Sequence, residues 1–322
     1  MAGLSLSRLA PGEAQAWDAF VAGAVNGSLF HRQDFLGYHS ARFKETAHHL
    51  VWRKGSTLFA VLPLGIFLEE GRKVARSPFG ASIGGFVHGP KLRLKYALEL
   101  VDQLMEHLRD QGVHECLITT PPACYARSYT NAAEFALCSR GFTLRNREIT
   151  HAINLGGVSD PFLPLDSSTR TQARKARRLG VTLQRNAPLE TAYALVVRAK
   201  QQLGREGITH SEADLRAIRT IDPNFLKVDL AWLEGVPVAA NVFLCSPTCI
   251  TSFYPSCPRE YAHTSALTLL TLDAIQWCLE TGRTHLDLGC SSSQMVVNAS
   301  LSEFKESFGA SGYFRDTFGV AL

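Results

Sequence analysis

Apolar and polar positions repeat along this chain at two periods, and each change of period marks an element. Residues 11–24 carry apolar side chains at helical spacing behind Pro11 and Glu13, which predicts an opening helix. Residues 32–43 read as a second, short helix. From 48 to 68 the pattern changes to two β-rich runs joined through Lys54-Gly55, a hairpin. Residues 72–90 are rich in glycine and read as loop. The amphipathic stretch 94–111 is a long helix stopping at Gly112, where a C-terminal glycine is expected. A buried strand over 113–119 follows.

The second half repeats this order. Residues 225–245 form a hairpin turning at Glu234-Gly235, 248–255 a third strand, 263–281 a long helix ending on Gly282, and 283–289 a strand. Laying Gly112 on Gly282 superposes two apolar strands, each directly after a capped helix. Two halves of this kind argue for a duplicated α/β unit in which each half builds a mixed sheet flanked by helices. The turn-rich stretch 155–165 marks the boundary. This gives an N-terminal domain over 1–158 and a C-terminal domain over 159–322, whose last strand is free to return to the first. Past the boundary, residues 166–180 read as a helix with an Asp/Ser start and a glycine stop. Its Arg170, Arg174 and Arg178 stand at steps of four, a basic face open either to solvent or to an anion.

Composition narrows the function. The chain has 322 residues, 46% hydrophobic and 19% charged, an ordinary globular balance that favours two domains over one. A formal charge of +4 permits an anionic partner but is mild for a binder of duplex DNA. The first residues have no apolar run of signal-peptide length, and no stretch is apolar enough to cross a bilayer. The eight cysteines form no C-x-x-C pair. We therefore expect a cytoplasmic protein with reduced thiols.

Several chemistries lose their usual support. Gly80-Ala81-Ser82-Ile83-Gly84 is a literal G-x-S-x-G, but Gly85 and a further glycine-containing stretch follow where a nucleophile elbow needs a helix. No H-E-x-x-H, Cys/His ligand spacing, Walker loop or dinucleotide fingerprint occurs, so no metal site is expected.

The duplicated order is that of the GNAT acyltransferase fold, and the chain resembles the FemAB-type branch, which carries two such units in tandem. Four stretches carry the likeness: residues 26–43, residues 58–67 with 76–87, the basic segment 168–185, and the closing segment 286–310. The last, with Leu288-Gly289 and then Phe304-Lys305 before Ser307-Phe308-Gly309, is similar to the family's closing signature. The resemblance implies transfer of an acyl or aminoacyl group to an amine. The reactants would lie in a cleft between the units, with Lys305 on a phosphate group. It also implies that Arg174 and Lys175, and more loosely Arg205, contact an anionic donor or acceptor.

Read alone, Lys305 is a solvated lysine beside an apolar stripe; the closing segment puts the phosphate role ahead of that. If Lys305 binds phosphate, Lys305→Ala is expected to lower affinity for the anionic ligand and leave stability almost unchanged. Candidates for the chemistry are His263 before the long second helix, Tyr254 as hydrogen-bond donor or packing group, and Asp287, which alternates with Leu286 and Leu288 and so faces cleft or solvent. No clean pyrophosphate loop of the Q/R-x-x-G-x-G/A type is present, which favours aminoacyl-tRNA over acetyl-CoA as co-substrate. No tightly bound cofactor is implied. The acceptor is expected to be an amine on a small molecule or an envelope precursor. A tandem module that binds ligand without turnover is the alternative from outside enzymes.

Overall fold

The computed structural model describes residues 3–90, 92–204 and 208–322. Its contacts divide the chain into two compact units, one of residues 1–149 and 314–322, the other of residues 150–313. The strands Thr143–Asn154 and Ala310–Ala321 each contribute residues to both.

In the first unit, strands Ser5–Arg8, Leu50–Lys54, Thr57–Leu62 and Val87–His88 form an antiparallel sheet. A second ladder pairs Gly65–Glu69 with Arg72–Ser77, then runs parallel to Glu115–Thr119, which pairs antiparallel with Ala310–Ala321. The long helix Leu94–Asp110 buries Ala97, Leu100, Val101, Leu104 and Leu108 at steps of three and four against Trp52, Leu62, Cys116 and Ile118. Gly112 ends it at φ 67°, the left-handed conformation that costs glycine nothing.

The second unit repeats the plan. Strands run in the order Thr143–Asn154, His285–Cys290, Cys249–Ser252, Val236–Cys245, Leu226–Leu233 and Thr182–Arg185. Only the pairing of Cys249–Ser252 with His285–Cys290 is parallel. The sheet is therefore mixed, as expected. Glu234 and Gly235 both take positive φ, the turn that matches strand twist in a two-residue hairpin loop. Helix Ala266–Glu280 packs its apolar residues on this sheet, and helix Ser167–Arg178 rests Ala173 and Ala176 in the same core.

Two local readings change. Residues 72–77 are a strand, not loop: Val74 and Ala75 are buried and the run pairs on both edges. The short helix over 32–43 is broken into the turns Gln33–Leu36, Gly37–His39 and Ser40–Phe43, with Gly37 at the first break.

Candidate functional site

The site is built where the parallel pair of the second unit comes apart. Cys249, Ile250 and Thr251 lie opposite His285, Leu286 and Asp287, and no register pair joins the strands beyond that point. The first strand turns away: the amides of Phe253 and Tyr254 both donate to Val242 O, at 2.8 and 3.1 Å. The second strand bulges, because its register against Thr143–Asn154 shifts between Asp287 and Cys290. Gly289 supplies the positive φ of 83° that the bulge requires.

Side chains hold the bulge in place. Asp287 is buried, and its Oδ1 accepts from Gly289 N–H at 2.8 Å and from Thr150 Oγ1 at 2.6 Å. Lys305 comes from the helix Ala299–Glu306, which Asn298 caps by accepting from Leu301 N–H. The lysine is only 4% exposed, and Nζ donates to Gly289 O at 2.6 Å and to Cys290 O at 2.8 Å. Burial pulls the ammonium down to about 8 from its ordinary 10.5, against the opposing charge of Asp287. The solvated reading of Lys305 is thereby excluded, and its removal is now expected to cost stability. Asp287 does not face solvent either.

The structure thus brings Lys305 and Asp287 to one bulge. Tyr254 is buried, its hydroxyl 3.0 Å from His210 Nδ1 and accepting from His210 N–H at 3.3 Å; burial pushes the phenol up to about 12. His210 in turn receives the Tyr193 hydroxyl on its carbonyl at 3.1 Å. His263 is exposed on the turn Arg259–Thr264, with Nδ1 2.9 Å from Glu260 O. Arg174 and Lys175 are exposed on the helix Ser167–Arg178, Arg174 standing 6.0 Å from the Phe162 ring centroid. That helix begins at the site: Asp166 N–H donates to Ser307 O, and Thr169 Oγ1 to Ser307 Oγ, both at 2.9 Å. Arg205 lies outside the described residues.

Thr150 and Gly289 were not singled out in the sequence. Gly289 stood in the closing segment, but Thr150, the hydroxyl partner of Asp287, lies 137 residues away from it and carries no local signal. Among the described residues, no group of three or more His, Cys, Asp or Glu side chains is placed to hold a metal ion.

Residues 167–306, most of this second unit, match the family model described as an acetyltransferase (GNAT) domain. No curated protein matches the sequence. Among solved structures the chain resembles FemX, at 12% identity and a TM-score of 0.74, over 99% of this chain and 97% of that one. It also resembles the C-terminal domain of a putative lysylphosphatidylglycerol synthetase from Agrobacterium fabrum, at 12% identity and TM-score 0.62, over 95% and 90%. A third is a tandem GNAT protein from the clavulanic acid biosynthesis pathway, at 16% identity and TM-score 0.55, over 99% and 98%. At such identities these are likenesses of fold. No helix of the described residues is long and apolar enough to cross a membrane.

Proposed function

We propose that this chain, an acyltransferase of the FemAB-type tandem GNAT family, moves an acyl group from an acyl-CoA thioester to a primary amine in its second unit. The observation that carries this reading is the parting of Cys249–Ser252 from His285–Cys290 inside the acetyltransferase domain, beside a bulge braced by buried Lys305 and Asp287. A thioester laid between parted strands meets backbone amides along its length, and a fixed bulge holds its carbonyl at one depth. The N-terminus of helix Ala266–Glu280, which has no side-chain cap from Ser265, offers its dipole to the donor's phosphates.

Lys305 supplies the charge at the acyl end. Two of its three N–H donors are on carbonyls, so the third serves an anionic oxygen of the reactants, a phosphate or the oxyanion. Arg174 and Lys175 add exposed positive charge for an anionic acceptor, among which an envelope precursor fits best with the family. Asp287 acts as the brace and Tyr254 fixes the segment at His210. His263, being exposed and bonded to its own turn, has the weakest claim to the chemistry. The absent pyrophosphate motif favoured aminoacyl-tRNA. The acetyltransferase domain favours acyl-CoA, and the helix N-terminus does in backbone what the motif would do.

The test is release of free CoA from acetyl-CoA by the purified chain with a panel of primary amines, beside thermal unfolding with acetyl-CoA present. Amine-dependent release is expected. Binding at about a hundred times the dissociation constant adds roughly 2.7 kcal/mol, which unfolding reads plainly. A thermal shift without release for any amine would leave a silent binding module. Neither shift nor release, with transfer from charged tRNA, would return the aminoacyl donor.

A further inference from the structure

The bulge has one residue opposite it. Asp287 pairs with Ala152 and Cys290 with Thr150, so Leu288 and Gly289 together face His151. His151 is 2% exposed. Its Nε2 lies 3.3 Å from Glu306 Oε1 and 3.2 Å from Ser302 Oγ, both on the helix that carries Lys305. The Ser302 hydroxyl already donates to Glu306 Oε1 at 2.9 Å, so its proton is committed. A carboxylate accepts only, so Nε2 must carry a hydrogen, and in the neutral ring Nδ1 keeps its lone pair.

That Nδ1 is buried and has no partner in the protein. At the other end of the bulge Ser291, 1% exposed, has a hydroxyl equally without partner. Two unsatisfied polar atoms at one bulge are rare in a folded protein, and each costs stability unless a ligand meets it. Each atom would accept an N–H from a neutral primary amine, whose lone pair would remain for a carbonyl carbon.

We propose that His151, oriented through Nε2 by Glu306 and Ser302, is the general base that takes the proton of the acceptor amine, with Ser291 as the second contact to that amine; this rests on the acyl-transfer reading above. The amine nitrogen bonds to the thioester carbonyl carbon, its proton passes to His151 Nδ1, and the carbon–sulfur bond breaks. The departing CoA thiolate then recovers the proton from the imidazolium. His151 has no counterpart in the sequence motifs because it gains its role only from the strand opposite.

The experiment has two arms. The first reads the His151 ring nitrogens by 15N NMR, using His151→Gln for assignment and n-butylamine as probe. Hydrogen on Nε2, with Nδ1 bare and responding to the amine, is expected. Hydrogen on Nδ1, or no response, overturns the proposal whether or not an activity has been found. The second arm uses the amine-dependent CoA release: His151→Gln should lower kcat about 100-fold or more with the acetyl-CoA thermal shift retained. Should His151→Gln not fold, Glu306→Gln at the exposed end is expected to lower kcat by a smaller factor at unchanged KM. An unchanged kcat with a raised KM in either variant assigns His151 to packing. No CoA release by the unmodified chain sinks the acyl-transfer reading but leaves the first arm to decide on the base.

Discussion

Both units carry a parallel pair of strands next to a long helix, and they treat the ends of that pair in opposite ways. In the first unit Arg72–Ser77 and Glu115–Thr119 are paired from Val74↔Glu115 to Ser77↔Ile118. The glycine-rich loop then closes across their ends. Gly84 N–H donates to Thr119 O at 3.0 Å, Gly85 N–H to Ser77 Oγ at 2.9 Å, and His31 Nε2 meets Gly84 O at 2.9 Å. A Cβ on Gly84 would stand 2.4 Å from Ser77 Oγ and 2.6 Å from Pro78 N, so only glycine lets the loop lie this close. In the second unit the chain after Ser252 bonds to Val242 and Ala240 instead, away from His285–Cys290. One copy of the fold uses its own backbone to fill the place where the other parts its strands. The lesson is that a duplicated unit need not duplicate a site, and that a few backbone hydrogen bonds separate the two outcomes. The G-x-S-x-G of the sequence belongs to the closing loop, followed by the strand Val87–His88, and has no elbow geometry.

The largest test of this contrast is Lys305→Ala. It leaves the carbonyls of Gly289 and Cys290 without their donor and opens a hole in a buried site, at a cost of about 3 kcal/mol, with CoA release abolished. Denaturant midpoints and CoA release measure both. The same lysine sets a pH signature. Its folded value of about 8 lies below the ordinary 10.5, so between those values the unfolded chain binds more protons than the folded one. Stability should therefore climb from about pH 8 toward pH 10.5, relative to Lys305→Met, by up to about 1.4 kcal/mol per pH unit. A flat difference across that window would mean that the buried ammonium is not held at the cost described.

Gly84→Ala addresses the other unit and is expected to be smaller. The clash with Ser77 and Pro78 should cost about 1–3 kcal/mol, while CoA release by the folded fraction stays at the wild-type rate. A drop in turnover per folded molecule would show that the first unit takes part in the chemistry. The least effect on stability belongs to Arg174→Ala with Lys175→Ala. Both side chains are exposed, so the midpoint should move by no more than about 0.5 kcal/mol. Affinity for an anionic acceptor should fall, and should lose part of its salt dependence. Unchanged affinity would make this a solvated basic face.

Legibility differed by element. The helix Leu94–Asp110 was plain from its 3.6-residue apolar repeat, Ser167–Arg178 from its Asp/Ser start, Ala266–Glu280 from its long apolar run, and all three from a glycine stop. The strand Thr143–Asn154 was not read, since its first half is polar and is stabilised from far along the chain: Arg147 makes a two-pronged ion pair with Asp316, at 2.7 Å on each arm, and Glu148 pairs with Arg315. The residues 72–77 were masked by their charges for the same reason. At the site, Lys305 was visible through the closing segment, but its burial and its two carbonyl partners were not.

What the sequence alone determined, then, is whatever depends on neighbours within a few residues: the helices with their caps, the two hairpin turns, the doubled order, and the segment around Lys305. What only the tertiary structure decided is which copy parts its strands, that Asp287 braces a bulge with Thr150, and that His151 stands opposite it. These depend on register between strands more than a hundred residues apart. A slip of one residue there turns every side chain to the other face, and no local pattern records which register prevails.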